Sequence, residues 1–171
     1  MKLLPLLEAD VHWSQKMRIA EEPGRLRSFA AVIAHSGDSW FWLLGLALVW
    51  AYGGPTWRTW AWRLILPTFC LALIVLVVKF LVRRPRPEGD WGAVYRSTDP
   101  HSFPSGHAAR ATLLAVLVLG FGPPWLAVVL VIWAPFVALA RVSMGVHYLS
   151  DVAVGALIGA LSGVAALLVM A

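Results

Sequence analysis

Residues 111–140 read ATLLAVLVLGFGPPWLAVVLVIWAPFVALA, a run of 30 amino acids without a charged side chain. A membrane-spanning helix needs about 20 apolar residues, so this run is too long for one span. The tetrapeptide FGPP at 121–124 divides it, because glycine and proline end helices. The run therefore predicts two spans, over 105–121 and 125–142, joined by a tight turn.

Three further apolar segments extend this pattern in both directions along the chain. Residues 39–57 are uncharged and predict a first span, 63–82 predicts a second, and 150–170 predicts a fifth. Five spans place the N-terminal segment and the loops at 83–104 and 141–149 on one membrane face. The sequence thus predicts an all-α, polytopic transmembrane helical bundle of about five spans.

The N-terminal segment, residues 1–38, differs from the rest because it holds five basic and five acidic side chains. Such a density of charge is incompatible with a membrane span, yet apolar residues recur in it at helical spacing. We expect one or two amphipathic helices at the membrane interface, broken near Pro23-Gly24. The chain is therefore divided into an amphipathic interfacial segment, 1–38, and a transmembrane domain, 39–171.

The composition favours a membrane protein over the soluble classes. Of the 171 residues, 60% are hydrophobic and 13% are charged, and this charged share is about half that of a soluble domain. A net charge of +5 would suit a nucleic-acid binder, but such a binder needs a basic face on a soluble body, so we expect no nucleic-acid partner. Cys70 is the only cysteine, which leaves no intramolecular disulfide, and we expect it in the core.

Ionisable side chains at the ends of the predicted spans fall on one face, where they are functional candidates. Each has an ordinary interpretation: Lys79 can snorkel to the interface, Arg141 can stabilise a helix C-terminus, and a lone histidine is often structural. Convergence of three separate segments is harder to explain in that way and indicates an anion site. The members are Lys79, Arg83, Arg84, Arg86, His107, Arg110, Arg141, His147 and Asp151.

These residue types suit phosphate. Lysine and arginine donate to phosphate oxygens, arginine through a planar fork. Ser105 is a good N-cap for the third span, and Gly106 lets a ligand approach the backbone. Free N–H groups at a helix N-terminus also bind phosphate.

Two histidines and an aspartate complete the set. His147 and Asp151 are four positions apart, so a helix would place them on one face, and the carboxylate can then hold the imidazole in one tautomer. Such a histidine can be a nucleophile, and His107 can be the general acid for the leaving group. The sequence has no HExxH motif and no P-loop. Two histidines could bind zinc, but the surrounding arginines would repel the cation.

These residues resemble the signature of the type 2 phosphatidic acid phosphatase and vanadium haloperoxidase superfamily, K-x6-RP, PSGH and SR-x5-H-x3-D. The first part matches KFLVRRPRP at 79–87, the second matches PSGH at 104–107, and the third matches RVSMGVHYLSD at 141–151. The departure is Ala140, where the family usually has a serine that supplies a secondary hydrogen bond. The order and the internal spacing of all three parts agree with the family.

The resemblance implies an all-helical bundle with its active site at one membrane face, a covalent phosphohistidine at His147 held by Asp151, and His107 as proton donor. It implies no cofactor and no metal ion. Five spans resemble the short bacterial branch, which includes lipid pyrophosphate and polyprenyl-phosphoribose phosphate phosphatases. Arg83 and Arg84 are not among the fixed residues of the signature and can extend an anion funnel or contact lipid headgroups. The phosphate-binding groups it implies are Lys79, Arg86, Ser105, the Gly106 N–H and Arg141.

Three function classes follow. The first is an integral membrane phosphatase acting on a lipid phosphate or pyrophosphate of the phosphatidic acid, phosphatidylglycerophosphate or polyprenyl phosphate type, with membrane lipids as its partners and its oligomeric state open. The second is a vanadate-dependent haloperoxidase, whose soluble members are larger and need a halide site that a five-span bundle does not supply. The third is a transporter or scaffold, which would not need both His107 and His147. The positive-inside rule favours a multi-pass protein of the cell (inner) membrane with a cytoplasmic active-site face.

Overall fold

The computed structural model describes residues 4–89, 91, 95, 97 and 99–171. No β-strand occurs in these ranges, and the all-helical architecture confirms the predicted fold class. The helices are α1 (Leu4–Lys16), α2 (Arg25–His35), α3 (Ser39–Tyr52), α4 (Pro55–Val82), α5 (Gly106–Phe121), α6 (Pro124–Ser143) and α7 (Leu149–Met170).

Each predicted span corresponds to one of the helices α3 to α7, but the first predicted turn was too long. The predicted spans 39–57 and 63–82 leave a connection over 58–62, whereas α3 ends at Tyr52 and α4 already begins at Pro55. Proline is well suited to the first helical position, where its missing N–H is no loss. No helix-breaking residue follows until Pro67, and α4 continues through it.

Three described helices, α4, α6 and α7, are long and apolar enough to cross a membrane. Helices α2 and α3 pass the same test only together, as a pair bent by 47°. Helix α5 is apolar but has 16 residues. By length and composition the described ranges therefore offer three or four candidate spans. The multi-pass character is supported, and the predicted number of five is approximate.

Helix α5 forms the centre of the bundle, because side chains such as Leu113, Leu114 and Leu117 are fully buried. It packs mainly against α7 and α6 and also against α4. Helices α3, α2 and α1 then pack on the outside of α4, α6 and α7, respectively. The N-terminus of α5 consequently lies among the ends of the three helices that carry the other predicted site residues.

Three glycines on α7 allow its close approach to α5. Gly155, Gly159 and Gly163 recur at every fourth position and are buried. A β-carbon at Gly155 would lie 2.5 Å from the carbonyl oxygen of Ser105, and one at Gly159 would overlap the carbonyl oxygen of Ala109. Small residues at such spacing let two helix backbones pack directly against each other.

The outer face of α4 is apolar, as expected for contact with lipid. Leu73, Val77 and Phe80 are each about half exposed. Cys70 lies exposed on α4, so its predicted core position was wrong. The reason is its helical register, since position 70 falls one and two turns from Leu73 and Val77 on the same outer face.

The amphipathic N-terminal segment forms two helices, α1 and α2, and the interruption at 17–24 contains the predicted Pro23-Gly24 break. Helix α1 binds the start of α7 through side-chain oxygens. Ser14 Oγ accepts the backbone N–H of Leu149 at 2.8 Å, and Asp10 Oδ1 accepts that of Ser150 at 2.9 Å. Polar contacts thus cross residue 38, and the proposed division of the chain at that position stays a prediction.

Candidate active site

The eight predicted site residues come from separate parts of the chain that meet at one end of the bundle. Lys79 lies in the last turn of α4, His107 at the start of α5, and Arg141 in the last turn of α6. His147 precedes α7 and Asp151 lies in its first turn. Six of the eight are buried, namely Lys79, Arg86, Ser105, Arg141, His147 and Asp151.

His147 is 2% exposed, and its surroundings fix its protonation state. Its Nε2 lies 3.2 Å from Arg86 Nη1, and since a guanidinium only donates, Nε2 carries the lone pair. The proton is then on Nδ1, which lies 3.5 Å from Asp151 Oδ2, longer than an ordinary hydrogen bond. Burial and the positive charges of Arg141 and Arg86 hold the pKa of His147 well below its ordinary value. The imidazole is therefore neutral, with its lone pair facing a cation.

Asp151 is fully buried behind His147, and both of its carboxylate oxygens are engaged. Oδ2 accepts the backbone N–H of Tyr148 at 2.9 Å, and Oδ1 accepts from Arg84 Nη1 at 2.8 Å. Arg84 also binds Asp10 Oδ2 of α1 at 2.7 Å. Arg84 therefore faces the Asp151 carboxylate, rather than lipid headgroups or an anion funnel.

Lys79 and Arg86 hold one carboxylate between them, that of Asp99. Lys79 Nζ lies 3.1 and 2.9 Å from its two oxygens, and Arg86 Nη2 lies 2.8 Å from Oδ2. The Asp99 side chain is 41% exposed, whereas both cations are buried. A phosphate group bound by these two cations would therefore replace the Asp99 carboxylate or share them with it.

Helix α5 begins at Gly106, directly after the predicted N-cap residue. Ser105 is the N-cap, and its Oγ accepts the Ala108 N–H at 3.5 Å. The Ser105 N–H donates to the Asp151 carbonyl at 2.9 Å, which joins the starts of α5 and α7. Gly106 lines the central cavity described below. A helix N-terminus beside a cavity favours an anionic ligand.

Arg141 is 1% exposed and lies beside the aromatic ring of Tyr95. Its Nη1 donates to Tyr95 Oη at 3.0 Å, and the guanidinium carbon lies 4.6 Å from the ring centroid. The buried Nε has no hydrogen-bond partner within the described part of the chain. A buried guanidinium donor normally has an acceptor, and a phosphate oxygen is the acceptor that the predicted role supplies.

His107 lies in the first turn of α5 and contacts the N-terminal segment. Its Nε2 is 2.7 Å from Asp38 Oδ1. The other oxygen of Asp38 is 3.1 Å from His35 Nδ1. His107 therefore has a carboxylate partner of its own, as His147 has in Asp151.

One cavity of about 380 Å³ joins the two histidines and Lys79 to an apolar channel along α4. From Lys79 it continues past Val75 and Leu71 to Thr68, about 16 Å along the helix axis. The cavity thus has a cationic end with nucleophilic and acidic groups, and an apolar length that suits a hydrocarbon chain.

A family model described as PAP2 superfamily matches residues 60–171, which contain all eight predicted site residues. The chain belongs to the PAP2 superfamily. The resemblance drawn from the three motifs is therefore confirmed.

The curated PAP2 relatives are phosphatases. The decaprenylphosphoryl-5-phosphoribose phosphatase of Mycobacterium tuberculosis is 38% identical over 162 residues, covering 93% of this chain and 88% of the relative. The undecaprenyl-diphosphatase of Sulfolobus acidocaldarius is 34% identical, covering 54% of this chain and 47% of its own length. The expected enzyme class, a membrane lipid phosphatase, is confirmed.

Solved structures support the PAP2 fold. A transmembrane PAP2-type phosphatidylglycerolphosphate phosphatase from Bacillus subtilis matches with a TM-score of 0.77 and 23% identity, covering 96% of this chain and 86% of that one. Aquifex aeolicus LpxE matches with a TM-score of 0.71 and 26% identity, covering 92% and 93%. The helical arrangement is thus that of known PAP2 membrane proteins.

Three charged side chains contact the predicted site residues in this PAP2 site, and the sequence did not predict these contacts. Asp99 binds Lys79, Asp38 binds His107, and Arg84 binds Asp151. None is a fixed residue of the three-part signature. The sequence singled out only Arg84 of these three, as a base at a variable position of the first motif, and it did not indicate which group Arg84 binds.

The Arg84→Ala enzyme is expected to have a kcat about 10- to 100-fold lower, with little change in KM, because Asp151 loses one of the donors that orient it. Arg83→Ala is the matched control, since Arg83 is exposed and donates to the Phe80 carbonyl at 2.8 Å. Rates of phosphate release in detergent measure both effects. An equal kcat for the two variants would contradict the role given to Arg84.

Proposed function

We propose that this protein hydrolyses a phosphate monoester on the headgroup of a polyprenyl-linked membrane lipid, through a phosphohistidine at His147. The observation that carries the proposal is the neutral, buried imidazole of His147, whose Nε2 lone pair lies beside Arg86. His147 lines a cavity that has a cationic end and an apolar length.

In the first step His147 Nε2 attacks the phosphorus, and the bond from phosphorus to the headgroup oxygen breaks. Lys79, Arg86 and Arg141 stabilise the charge on the three equatorial phosphoryl oxygens, together with Ser105 and the Gly106 N–H. His107 gives its proton to the departing oxygen, so that an alcohol leaves. Asp151 stabilises the His147 ring through its Nδ1–H group.

In the second step water attacks the phosphohistidine on the face that the alcohol has left. His107, now without its proton, accepts a proton from that water. The bond between nitrogen and phosphorus breaks, inorganic phosphate leaves, and His147 returns to its neutral form. The Asp99 carboxylate then binds Lys79 and Arg86 again.

The substrate class rests on two supports. The Mycobacterium tuberculosis phosphatase named for a decaprenyl-linked phosphoribose aligns over nearly the whole of both chains. The apolar channel along α4, which ends near Thr68, runs from the cations into the bundle and can hold the start of a prenyl chain. A sugar phosphate at the cationic end would then place its phosphorus beside His147.

A substrate panel tests this function. Purified protein in detergent with EDTA is given a polyprenyl-phosphoryl phosphoribose, phosphatidic acid and undecaprenyl pyrophosphate, and released phosphate is measured with and without vanadate. We expect the highest kcat/KM with the phosphoribose lipid, and inhibition by vanadate, which mimics pentacoordinate phosphorus. Preference for another lipid would overturn the substrate class. Absence of release from all three would overturn the phosphatase function.

We also propose that the active site faces the cytoplasm, in the cell membrane. Its support is the five lysines and arginines of the N-terminal segment. The contact between Asp10 and Ser150 ties this segment to the active-site end of the bundle. With the N-terminal segment in the cytoplasm, five spans place Ala171 on the opposite side of the membrane. A reporter that is active only outside the cytoplasm should therefore be active when it is fused after Ala171.

A further inference from the structure

The turn at 36–38 is fixed against the helices that surround the active site. Trp42 Nε1 donates to the Ser36 carbonyl at 2.8 Å, and Trp133 Nε1 donates to Ser36 Oγ at 2.8 Å. Arg110, one turn after the second PAP2 motif, donates to the Gly37 carbonyl. Donors from α3, α6 and α5 thus hold this turn in one position.

Gly37 brings the turn close enough for contact with α5 and α6. A β-carbon at Gly37 would lie 2.9 Å from Val137 Cγ1 and 3.4 Å from His107 Cδ2. The next residue, Asp38, then places Oδ1 at 2.7 Å from His107 Nε2. Both partners are largely shielded, with side-chain exposures of 21% for Asp38 and 17% for His107.

We propose that Asp38 is a positioning residue for the general acid His107, an inference that rests on the proposed phosphatase function. The carboxylate accepts the Nε2–H and so fixes the ring, which leaves Nδ1–H to serve the leaving group. As the P–O bond breaks, the Nδ1–H bond breaks too, and its proton passes to the departing oxygen. The ring, which was an imidazolium cation with both N–H groups, becomes neutral, with Nε2–H still bound to Asp38.

The charges around His107 explain why it needs such a partner. Positive charge lies close to His107, since Arg110 follows on the next turn of its own helix and Lys79 lines the same cavity. Neighbouring cations disfavour the protonated imidazole that a general acid requires. Asp38 supplies the opposing negative charge in direct contact. The other titratable groups that line the cavity are Lys79 of α4, Asp99 and His101 of the loop before α5, and His147.

Asp38 lies outside the residues matched by the family model, 60–171. The three PAP2 motifs therefore do not include it. If the inference holds, the N-terminal segment is part of the catalytic apparatus and does more than anchor the chain at the membrane.

The test is the Asp38→Asn variant with two leaving groups. An alkyl phosphate needs a proton on its departing oxygen, whereas p-nitrophenolate leaves without one. We expect the first-turnover rate with the alkyl phosphate to fall about 10- to 100-fold and the rate with p-nitrophenyl phosphate to change little. The matched control is Glu22→Gln, an exposed acid of the same segment, which should equal wild type with both substrates.

Equal losses with both leaving groups would overturn the inference, because a general structural defect does not depend on the leaving group. A double-mutant cycle gives an independent reading: in a His107→Ala background, Asp38→Asn should have no further effect. A full additional loss there would also overturn it. Melting temperatures in detergent check that each variant is folded. If wild type releases no phosphate at all, the proposed function fails, and this inference fails with it.

Discussion

The His147→Ala enzyme is expected to release phosphate at least about 1,000-fold more slowly than wild type, because removal of a covalent nucleophile leaves only binding and electrostatic assistance. No other described side chain offers a neutral, buried nitrogen beside Arg86. Asp151 and Arg84 would remain in place, and neither carries a nucleophile that could take over the reaction at the same position.

The covalent intermediate gives this prediction a second readout. Enzyme mixed with substrate labelled in its phosphate is quenched in alkali, in which phosphohistidine is stable, and protein-bound label is counted. Wild type should retain label and His147→Ala should retain none. His12→Ala is the matched control, since His12 is an exposed histidine of α1, and it should retain label and full activity.

Two results would contradict the assignment. Phosphate release by His147→Ala at the wild-type rate would remove the nucleophilic role altogether. Label bound to an inactive His147→Ala protein would place the nucleophile on another residue and leave His147 with a later step. A wild-type melting temperature for the variant excludes loss of folding as the cause of inactivity.

Local spacing explains why much of the site could be predicted. His147 and Asp151 are one helical turn apart, and Ser105 to His107 are contiguous, so each group is placed by one helix start. The structure brings both groups together with Lys79 and Arg86. Their catalytic and phosphate-binding roles stay predictions until the variants are measured.

The contacts that could not be predicted join distant parts of the chain. Asp38 and His107 are 69 positions apart, and Lys79 and Asp99 are 20 positions apart. An acidic side chain at such a distance looks the same in sequence whether it faces solvent or a cation. Only tertiary packing decides which base it meets, and sequence spacing does not encode that packing.

The helices were predictable in kind but less so at their ends. Charge-free runs identified the apolar segments, since burial in lipid excludes charge. Tryptophans at 57, 60 and 62 lie within the first turns of α4. Tryptophan favours the membrane interface in helices and in loops alike, so it marks a depth in the membrane and not a helix boundary.

The Gly159→Val protein is expected to be strongly destabilised, because the contact between α7 and α5 leaves no room for a side chain. A β-carbon there would overlap the Ala109 carbonyl oxygen, which belongs to a central helix and cannot move aside like a flexible side chain. We expect a loss of about 3 kcal/mol or more in the free energy of unfolding, and a melting temperature about 10 °C lower.

The matched control is Gly45→Val, because a β-carbon at Gly45 in α3 meets nothing within 4 Å. Both variants remove a helical glycine and add the same isopropyl group, so they differ in the space available. Thermal unfolding in detergent should show a large decrease for Gly159→Val and little change for Gly45→Val. Equal melting temperatures for the two would mean that close packing of α7 on α5 is not required.

The same contact connects folding to catalysis. Gly155, one turn before Gly159, lies against the Ser105 carbonyl, and the Ser105 N–H binds the Asp151 carbonyl at 2.9 Å. Separation of α7 from α5 would therefore move Asp151 and the start of α5 apart. The smaller Gly159→Ala change should consequently lower kcat by a larger factor than its residual folded fraction explains. A kcat per folded molecule equal to wild type would show that the two helix starts are held together without the glycine contact.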